Sequence, residues 1–262
     1  MIYKNYIFDI GANEGIDGLA LAINNQKIFI HAFEPNPDLI KIIKKLKKKL
    51  ENRIGRAIKN YKIHNYAVSN VNKISKFNIS INHRVSSLNT LSANIEKTWP
   101  GYKESVFKVT KQIKVKVITL NYFMKKNKIN HINYLHTDTQ GHDLNVLKGL
   151  GKKINNIFEG KMEASLNKKT SAYKNNHTIK DVKKIFSKTS LKINKITNID
   201  HISKNGIFNN EADITYFNSS LKNHIVINKK YNQRYYFRVL YNKTSFKDNI
   251  LDAVIKFLNK SF

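Results

Sequence analysis

The sequence has no cysteine, three prolines, one tryptophan and only 18 acidic residues among 262. Without cysteine there are no disulfides and no thiolate metal sites, as suits a reducing compartment. No apolar run approaches the ~18 residues needed to cross a bilayer. The first 25 residues carry Asp9, Glu14 and Asp17 and no cleavable apolar stretch. A signal peptide is therefore not expected, and a soluble, cytoplasmic protein is. Internal repeats and Gly/Ser linkers are also missing.

What is abundant is positive charge. There are 47 Lys+Arg against 18 Asp+Glu, a formal net charge of +29. One reading is an anionic partner: nucleic acid, an acidic glycan or a membrane surface. The other is codon bias, because Lys, Asn and Ile are crowded together as an AT-rich genome would produce. The charge is spread along the chain. Only KKLKKKL (44–50) forms a block, and it fits one face of a helix. With 41% hydrophobic residues, a chain of this length can bury a sizeable core.

Strand-like and helix-like runs alternate. YIFDI (6–10), KIFIHAF (27–33), KIHNYAV (62–68), INYLHTD (132–138) and NIFEGKMEAS (156–165) read as strands. Between and after them, residues 16–24, 37–50, 121–127, 142–150 and 178–188 read as helices, Pro37 opening the second. LKINKITNI (191–199) and EADITYFN (211–218) read as a final strand pair. Residues 71–119 are less regular. They are expected to hold a hairpin within ISKFNISI (74–81), a loop with Arg84, Ser86 and Ser87, and a strand, QIKVKVITL (112–120). Such alternation predicts right-handed crossovers, a mostly parallel sheet, and a ligand crevice beyond the strands' carboxyl ends.

The loops facing that crevice carry the chemistry. After the first strand, FDIGANEG (8–15) supplies Gly11 for a tight turn and Gly15 for close helix packing, with free amides at the start of the helix expected to face a ligand. A dinucleotide fingerprint would need a middle glycine, and Asn13 stands there instead, which disfavours a pyrophosphate ligand and an oxidoreductase. After the second strand, FEPNP puts Glu34 19 residues past Gly15, where an acid can accept from two ribose hydroxyls. NYAVSN (65–70) puts Ala67 where an adenine could lie. Asp138, at the end of the fourth strand, could hold an ammonium or a substrate hydroxyl, and Glu163 plays the same part after the fifth.

Together, DIGANEG, FEPNP, NYAVSN, SSL (86–88), ITLNYF (118–123), DTQGHDLNVLKGL (138–150) and EADITYFN resemble, in order and spacing, the FkbM family of S-adenosylmethionine-dependent methyltransferases. The resemblance spans about residues 5–218. It implies an α/β class I (Rossmann-like) methyltransferase fold, with a mostly parallel seven-stranded sheet and an antiparallel final strand. It implies a methyltransferase domain over 1–220 and a basic, helical C-terminal extension over 221–262. Two positions depart from the family: Asn121 and Asp143 stand where Asp and Glu are usual.

What the resemblance implies about function is O-methylation of a sugar, glycan or related small-molecule hydroxyl, with S-adenosylmethionine as cofactor. Asp9, Gly11, Ala12, Asn13 and Gly15 would hold its methionine part, Glu34 and Pro35 the ribose, Ala67 the adenine, with Asp138 also in contact. Asp138, His142 and Glu163 are the candidate catalytic residues, His142 one helical turn beyond Asp138, Glu163 alternatively paired with Lys161 or Lys148. The spacing of His131, His136 and His142 suits no metal site. Methylation of an RNA ribose, and a non-catalytic basic binding protein, remain alternatives. In the tail, Phe246, Ile250, Val254 and Leu258 form an apolar stripe that would pack on the domain, on a second subunit or on a membrane surface. Tyr231, Arg234, Tyr235, Tyr236, Phe237 and Arg238 interleave aromatics with bases, as a nucleic-acid surface would.

Overall fold

The computed structural model describes residues 5–93, 95–99, 104–203 and 206–221. The extension expected over 221–262, with its apolar stripe and its aromatic-basic run, lies almost wholly outside the described residues. The elements are β1 (Asn5–Ile10), α1 (Ile16–Asn24), β2 (Ile28–Phe33), α2 (Pro37–Ile54), β3 (Tyr61–His64), β4 (Ala67–Val68) and β5 (Lys73–Ser80). Then follow α3 (Ile95–Thr98), α4 (Glu104–Phe107), β6 (Val109–Ile118), α5 (Leu120–Lys126), β7 (Ile132–Thr137), α6 (Asp143–Lys148) and β8 (Ile157–Ser165). The last are α7 (Ile179–Phe186), β9 (Leu191–Asn198), β10 (His201–Ser203), β11 (Gly206–Phe208) and β12 (Glu211–Asn218).

Seven strands form one sheet in the order β3-β2-β1-β7-β8-β12-β9. Neighbours pair in parallel except at β12, which runs antiparallel to both β8 and β9. The order reverses between β1 and β7, and it is there that the carboxyl ends splay to leave a crevice. This is the class I methyltransferase sheet. Both faces are covered, so its central strands are buried almost throughout. Ile7, Ile30 and Tyr134 meet Leu19, Ile43 and Leu46 of α1 and α2 on one face. Phe8, Leu135 and Ile214 meet Phe123, Leu144, Leu147 and Val182 of α5, α6 and α7 on the other.

Local signals set the element ends. Asn36 caps α2, its Oδ1 accepting from the Asp38 amide at 3.0 Å, and Pro37 opens the helix where its missing N–H costs nothing. The basic block of α2 is its solvent face, with Ile43, Leu46 and Leu50 turned inward. On the opposite face of the sheet, His31 and His64 are buried side by side, Nδ1 to Nε2 at 3.0 Å, against Phe33 and Phe123.

The region 71–119 differs from expectation. Residues 74–81 do not fold back on themselves. They run straight as β5, which pairs antiparallel with β6 some thirty residues later. ISKFNISI contains no glycine, proline or Asn-Gly pair to reverse the chain, so its alternation is that of one strand. With β4 these strands form a second, three-stranded sheet. It carries Ala67 and Phe77 to the crevice, and the β5–β6 connection runs across the crevice mouth.

Candidate active site

The crevice beyond the ends of β1, β2, β3 and β7 encloses about 750 Å³. Gly11, Asn13, Glu34, Pro35, Ala67, Asp138 and His142, all singled out in the sequence, line it. The glycine turn owes its shape to a close crossing. Gly11 has φ +87°, and a Cβ there would sit 1.9 Å from the carbonyl oxygen of Asp138. Only glycine lets β7's loop pass so near. Asn13 has φ 52°, a conformation that asparagine tolerates better than most residues.

The amides of Gly11, Ala12, Asn13 and Gly15 are taken up by acceptors within the fold. Those of Gly11 and Ala12 both donate to the Phe33 carbonyl at 3.0 Å, and that of Gly15 to the Ala12 carbonyl. The Asn13 amide donates to Glu34 Oε2 at 3.0 Å. The turn thus orients the acid rather than presenting a row of donors. Glu34 Oε1 accepts from the Asn36 amide at 2.8 Å. One amide holds each oxygen, and each oxygen keeps a second acceptor direction. Burial pushes the Glu34 carboxyl up to about 8. The two amides oppose that rise, and the charges of Asp9 and Asp138 add to it. A ligand hydroxyl donating to Glu34 would favour the carboxylate.

Asp138 follows β7 directly and belongs to a stiff loop. Its Oδ1 accepts from Gln140 Nε2 at 2.7 Å. Gln140 and Gly141 both have positive φ, so residues 138–142 form a turn rather than a helix. His142 is therefore the residue before α6, not one helical turn beyond Asp138. Ser87 Oγ donates to the Gln140 carbonyl at 2.8 Å, and Asn89 Nδ2 to the Gly141 carbonyl at 2.8 Å. That bond points Asn89 Oδ1 at His142 Nδ1, 3.1 Å away. With Nδ1 carrying the proton toward Asn89, Nε2 lies 2.7 Å from Ser69 Oγ. Burial, with the charges of His177, Lys73 and Lys148, lowers His142 to about 4. The ring is neutral and both its nitrogens are occupied.

Four of the candidate residues do not line the crevice. Asp9 turns beneath the glycine turn, where its Oδ1 meets His136 Nδ1 at 2.9 Å. Burial opposes a charge on His136, but the Asp9 bond and charge outweigh it and raise the imidazole. Ala12 is buried in the core, and Gly15 packs against Tyr61 and Ile43. Glu163 lies inside β8, two residues before its end and opposite Asp213 of β12. The Lys161 ammonium, a candidate partner for it, pairs with Asp213 at 3.0 Å. Burial, and the nearby Asp138, Glu211, Asp213 and Asp143 charges, push Glu163 well above the usual carboxylate range. Asp143, the shorter acid at a family position, also turns inward. Its Oδ2 accepts from Thr139 Oγ1 at 3.0 Å, and burial and Asp138 raise it to about 6.

The sequence reading did not select Arg84 as a site residue. It sits on a single helical turn, 83–85, at the crevice mouth. His83 Nε2 lies 3.4 Å from Glu14 Oε1 on the glycine turn, and the Tyr173 hydroxyl donates to the Val85 carbonyl at 2.7 Å. The turn that carries the arginine is thus fastened to both walls. In the same lining, Asn13 Oδ1 is buried without a hydrogen-bond partner among the described residues. The lining therefore offers two acids, an orphan acceptor and one permanent cation, beside an apolar end made by Pro35, Leu39, Tyr66, Ala67, Phe77 and Leu88. That donor set fits a ligand with an ammonium, a sulfonium, a carboxylate, a ribose and an adenine. Among the described residues, no helix is long and apolar enough to cross a membrane.

Comparison with known proteins agrees. A family model described as "Methyltransferase FkbM domain" matches residues 9–190. No curated protein matches the chain. Among solved structures, methyltransferase FkbM from Methylobacillus flagellatus KT is similar at 11% identity and a TM-score of 0.44, over 80% of this chain and 43% of that one. TrmK of M. capricolum, in complex with S-adenosylhomocysteine, is similar at 12% identity and a TM-score of 0.41, over 99% of this chain and 93% of that one. A SAM-dependent methyltransferase from Aquifex aeolicus is similar at 9% identity and a TM-score of 0.38, over 82% of each chain. None of these likenesses bears on the substrate. The family model spans well over half of the sequence, and the chain belongs to the FkbM methyltransferases, whose cofactor is S-adenosylmethionine.

Proposed function

We propose that this protein transfers a methyl group to the hydroxyl of a sugar, glycan or related small molecule, with Asp138 as the residue that receives the hydroxyl. The observation that carries the reading is the pairing of two acids in one crevice. Glu34 is tied to two amides and Asp138 to one side chain. Asp138 keeps a second carboxylate oxygen for the acceptor.

S-adenosylmethionine, when bound, supplies an electrophilic methyl on a sulfonium. This chain's residues do the rest. Glu34 accepts from the two ribose hydroxyls. Ala67 and Leu39 border the adenine at the apolar end. Asn13 Oδ1 accepts from the ammonium, and Arg84 takes the carboxylate. Fixing both partners in line is worth ~7–11 kcal/mol of barrier, so alignment is the main contribution. Asp138 orients the acceptor hydroxyl and takes its proton as the C–O bond forms, which adds ~10²–10⁴ in rate. His142 is a positioning residue. Its bonds to Asn89 and Ser69 hold the 138–142 turn against the second sheet. Glu163 lies outside the crevice, within β8, and takes no direct part.

The test is methyl transfer from labelled S-adenosylmethionine to a panel of neutral sugars, phosphorylated sugars and RNA, with the product's bond identified by NMR. A methyl ether, lost with Asp138→Asn while S-adenosylhomocysteine still binds, supports the reading. Label on nitrogen or carbon would overturn it.

A further inference from the structure

A second crevice, of about 1120 Å³, lies on the other side of α6. Lys148 of α6, Lys168 and Lys174 of the loop before α7, and Lys184 of α7 all face it, with His177. The four lysines are exposed, and none makes an ion pair among the described residues. The lining's acid, Asp181, is already in use. Its Oδ2 accepts from the Thr178 amide and hydroxyl, each at 2.9 Å, to close the cap of α7. Lysine charge reaches the lining: besides burial, Lys148 and Lys168 lower His177.

This basic crevice backs directly onto the acidic one. The wall between them is the Gln140–Gly141 turn. Gln140 lines the first crevice. A Cβ on Gly141 would lie 3.0 Å from Tyr173 and 3.1 Å from Asn176, both of which line the second. Asn145 spans the same wall, 3.3 Å from His142 Nδ1 and 3.2 Å from His177 Nε2. An acceptor held over this rim would have one end at Asp138 and the other among the lysines.

We propose that the second crevice is the acceptor's anion subsite, and that the acceptor is a small hydroxyl compound carrying a phosphoryl group. The proposal rests on the acceptor reading above. Four ammonium groups match a dianion better than a single carboxylate, and lysine serves phosphate as a point charge. The lysines converge on a concavity instead of tracking along a strip. The aromatic in the lining, Tyr173, is buried with its hydroxyl on Val85 and Gln140, so it offers no face for a base to stack on. Both features favour a small phosphorylated acceptor over an RNA backbone.

The test uses the full chain and pyrophosphate as probe, titrated calorimetrically at low and moderate salt. Two variants of equal net charge are compared: K148Q with K184Q in the crevice, and K44Q with K48Q on the exposed face of α2. The crevice pair should lose about tenfold in pyrophosphate affinity and the α2 pair less than twofold, because charge at contact outweighs charge at a distance. S-adenosylhomocysteine should bind all three proteins alike. Equal losses in both variants would mean diffuse charge and would overturn the subsite, as would no binding to wild type. If the crevice pair weakens a single-stranded RNA homopolymer but not pyrophosphate, the small-acceptor reading falls. Pyrophosphate binding without S-adenosylhomocysteine binding would sink the cofactor roles above and leave the subsite standing.

Discussion

Replacing Glu34 with glutamine changes one oxygen to an –NH₂ and little else. Two backbone amides aim at this side chain, from Asn13 and Asn36, one per oxygen. Glutamine can accept from only one. The other amide is left buried opposite a second donor, which costs ~1–3 kcal/mol of folding stability. The ribose also loses one charge-assisted acceptor, worth ~1.5–3 kcal/mol. At 1.4 kcal/mol per decade, that is about 10- to 150-fold in cofactor affinity. The assay is calorimetric titration with S-adenosylhomocysteine, with NAD as the control that should stay silent.

Proton linkage gives the same variant a second readout. Burial holds the Glu34 carboxyl at about 8, and hydroxyl donors favour its ionised form. Cofactor affinity of the wild type should therefore rise with pH up to about 8 and level above it, with a proton released on binding below that pH. The Gln variant should be flat. Stability runs the opposite way. The folded carboxyl titrates above its unfolded value of 4.5, so its contribution is full below 4.5 and is lost as pH rises through about 8. A variant that binds within twofold of wild type, with the same pH dependence from 6 to 9, would refute the ribose role.

Other substitutions probe the remaining parts. Gly11→Ala puts a methyl 1.9 Å from the Asp138 carbonyl at φ +87°, so it should lower the melting temperature and weaken S-adenosylhomocysteine; an unchanged affinity would contradict the crossing. Arg84→Gln should weaken S-adenosylhomocysteine about tenfold yet leave methylthioadenosine, which lacks the amino-acid part, unaffected; equal effects on both would move Arg84 off the carboxylate. His142, lowered to about 4, should give no inflection near pH 6.5 in kcat/KM; an inflection there that His142→Gln removes would make it the base. His31 and His64 are held neutral, at about 3 and about 4, chiefly by burial. Their stabilisation is present above pH 6.5 and lost as pH falls toward 4, so the double variant His31→Leu, His64→Leu should flatten the urea midpoint over that range; an unchanged slope would deny the effect.

Much of this site could be read from the sequence because it follows directly from strand ends. Glu34, Ala67 and Asp138 come one to three residues after β2, β3 and β7, and a parallel sheet must gather such residues at one edge. What escaped depends on register and on long connections. Glu163 reads as an acid at the crevice, but it lies inside β8, two residues before its end, paired across to β12. Arg84 reaches the crevice only because β5 and β6 pair across a long connection, and no local pattern announces that pairing. His142 reads as a helical residue until positive φ at Gln140 and Gly141 turns it toward Ser69. The amides of Gly11, Ala12 and Asn13 find their acceptors, Phe33 and Glu34, some twenty residues away, which no local pattern announces.

The net charge of +29 acquires meaning only once it is divided in space. A chain this basic would repel a cationic cofactor from an average point on its surface. The crevice at the ends of β1, β2, β3 and β7 is the exception, with Glu34 and Asp138 in its lining and Asp9 and Asp143 buried beneath. Burial, and then the charges of Asp9 and Asp138, raise Glu34, and burial and Asp138 raise Asp143, so concentrating acids here has a cost in stability. A sulfonium with an ammonium is the ligand that relieves that cost. One turn of backbone away the sign reverses to four lysines that make no ion pair among the described residues. Codon bias can scatter lysine over a surface, but it does not account for an acidic pocket and a basic one sharing a wall. That juxtaposition is what the proposed anionic acceptor, met by a cationic methyl donor, would require.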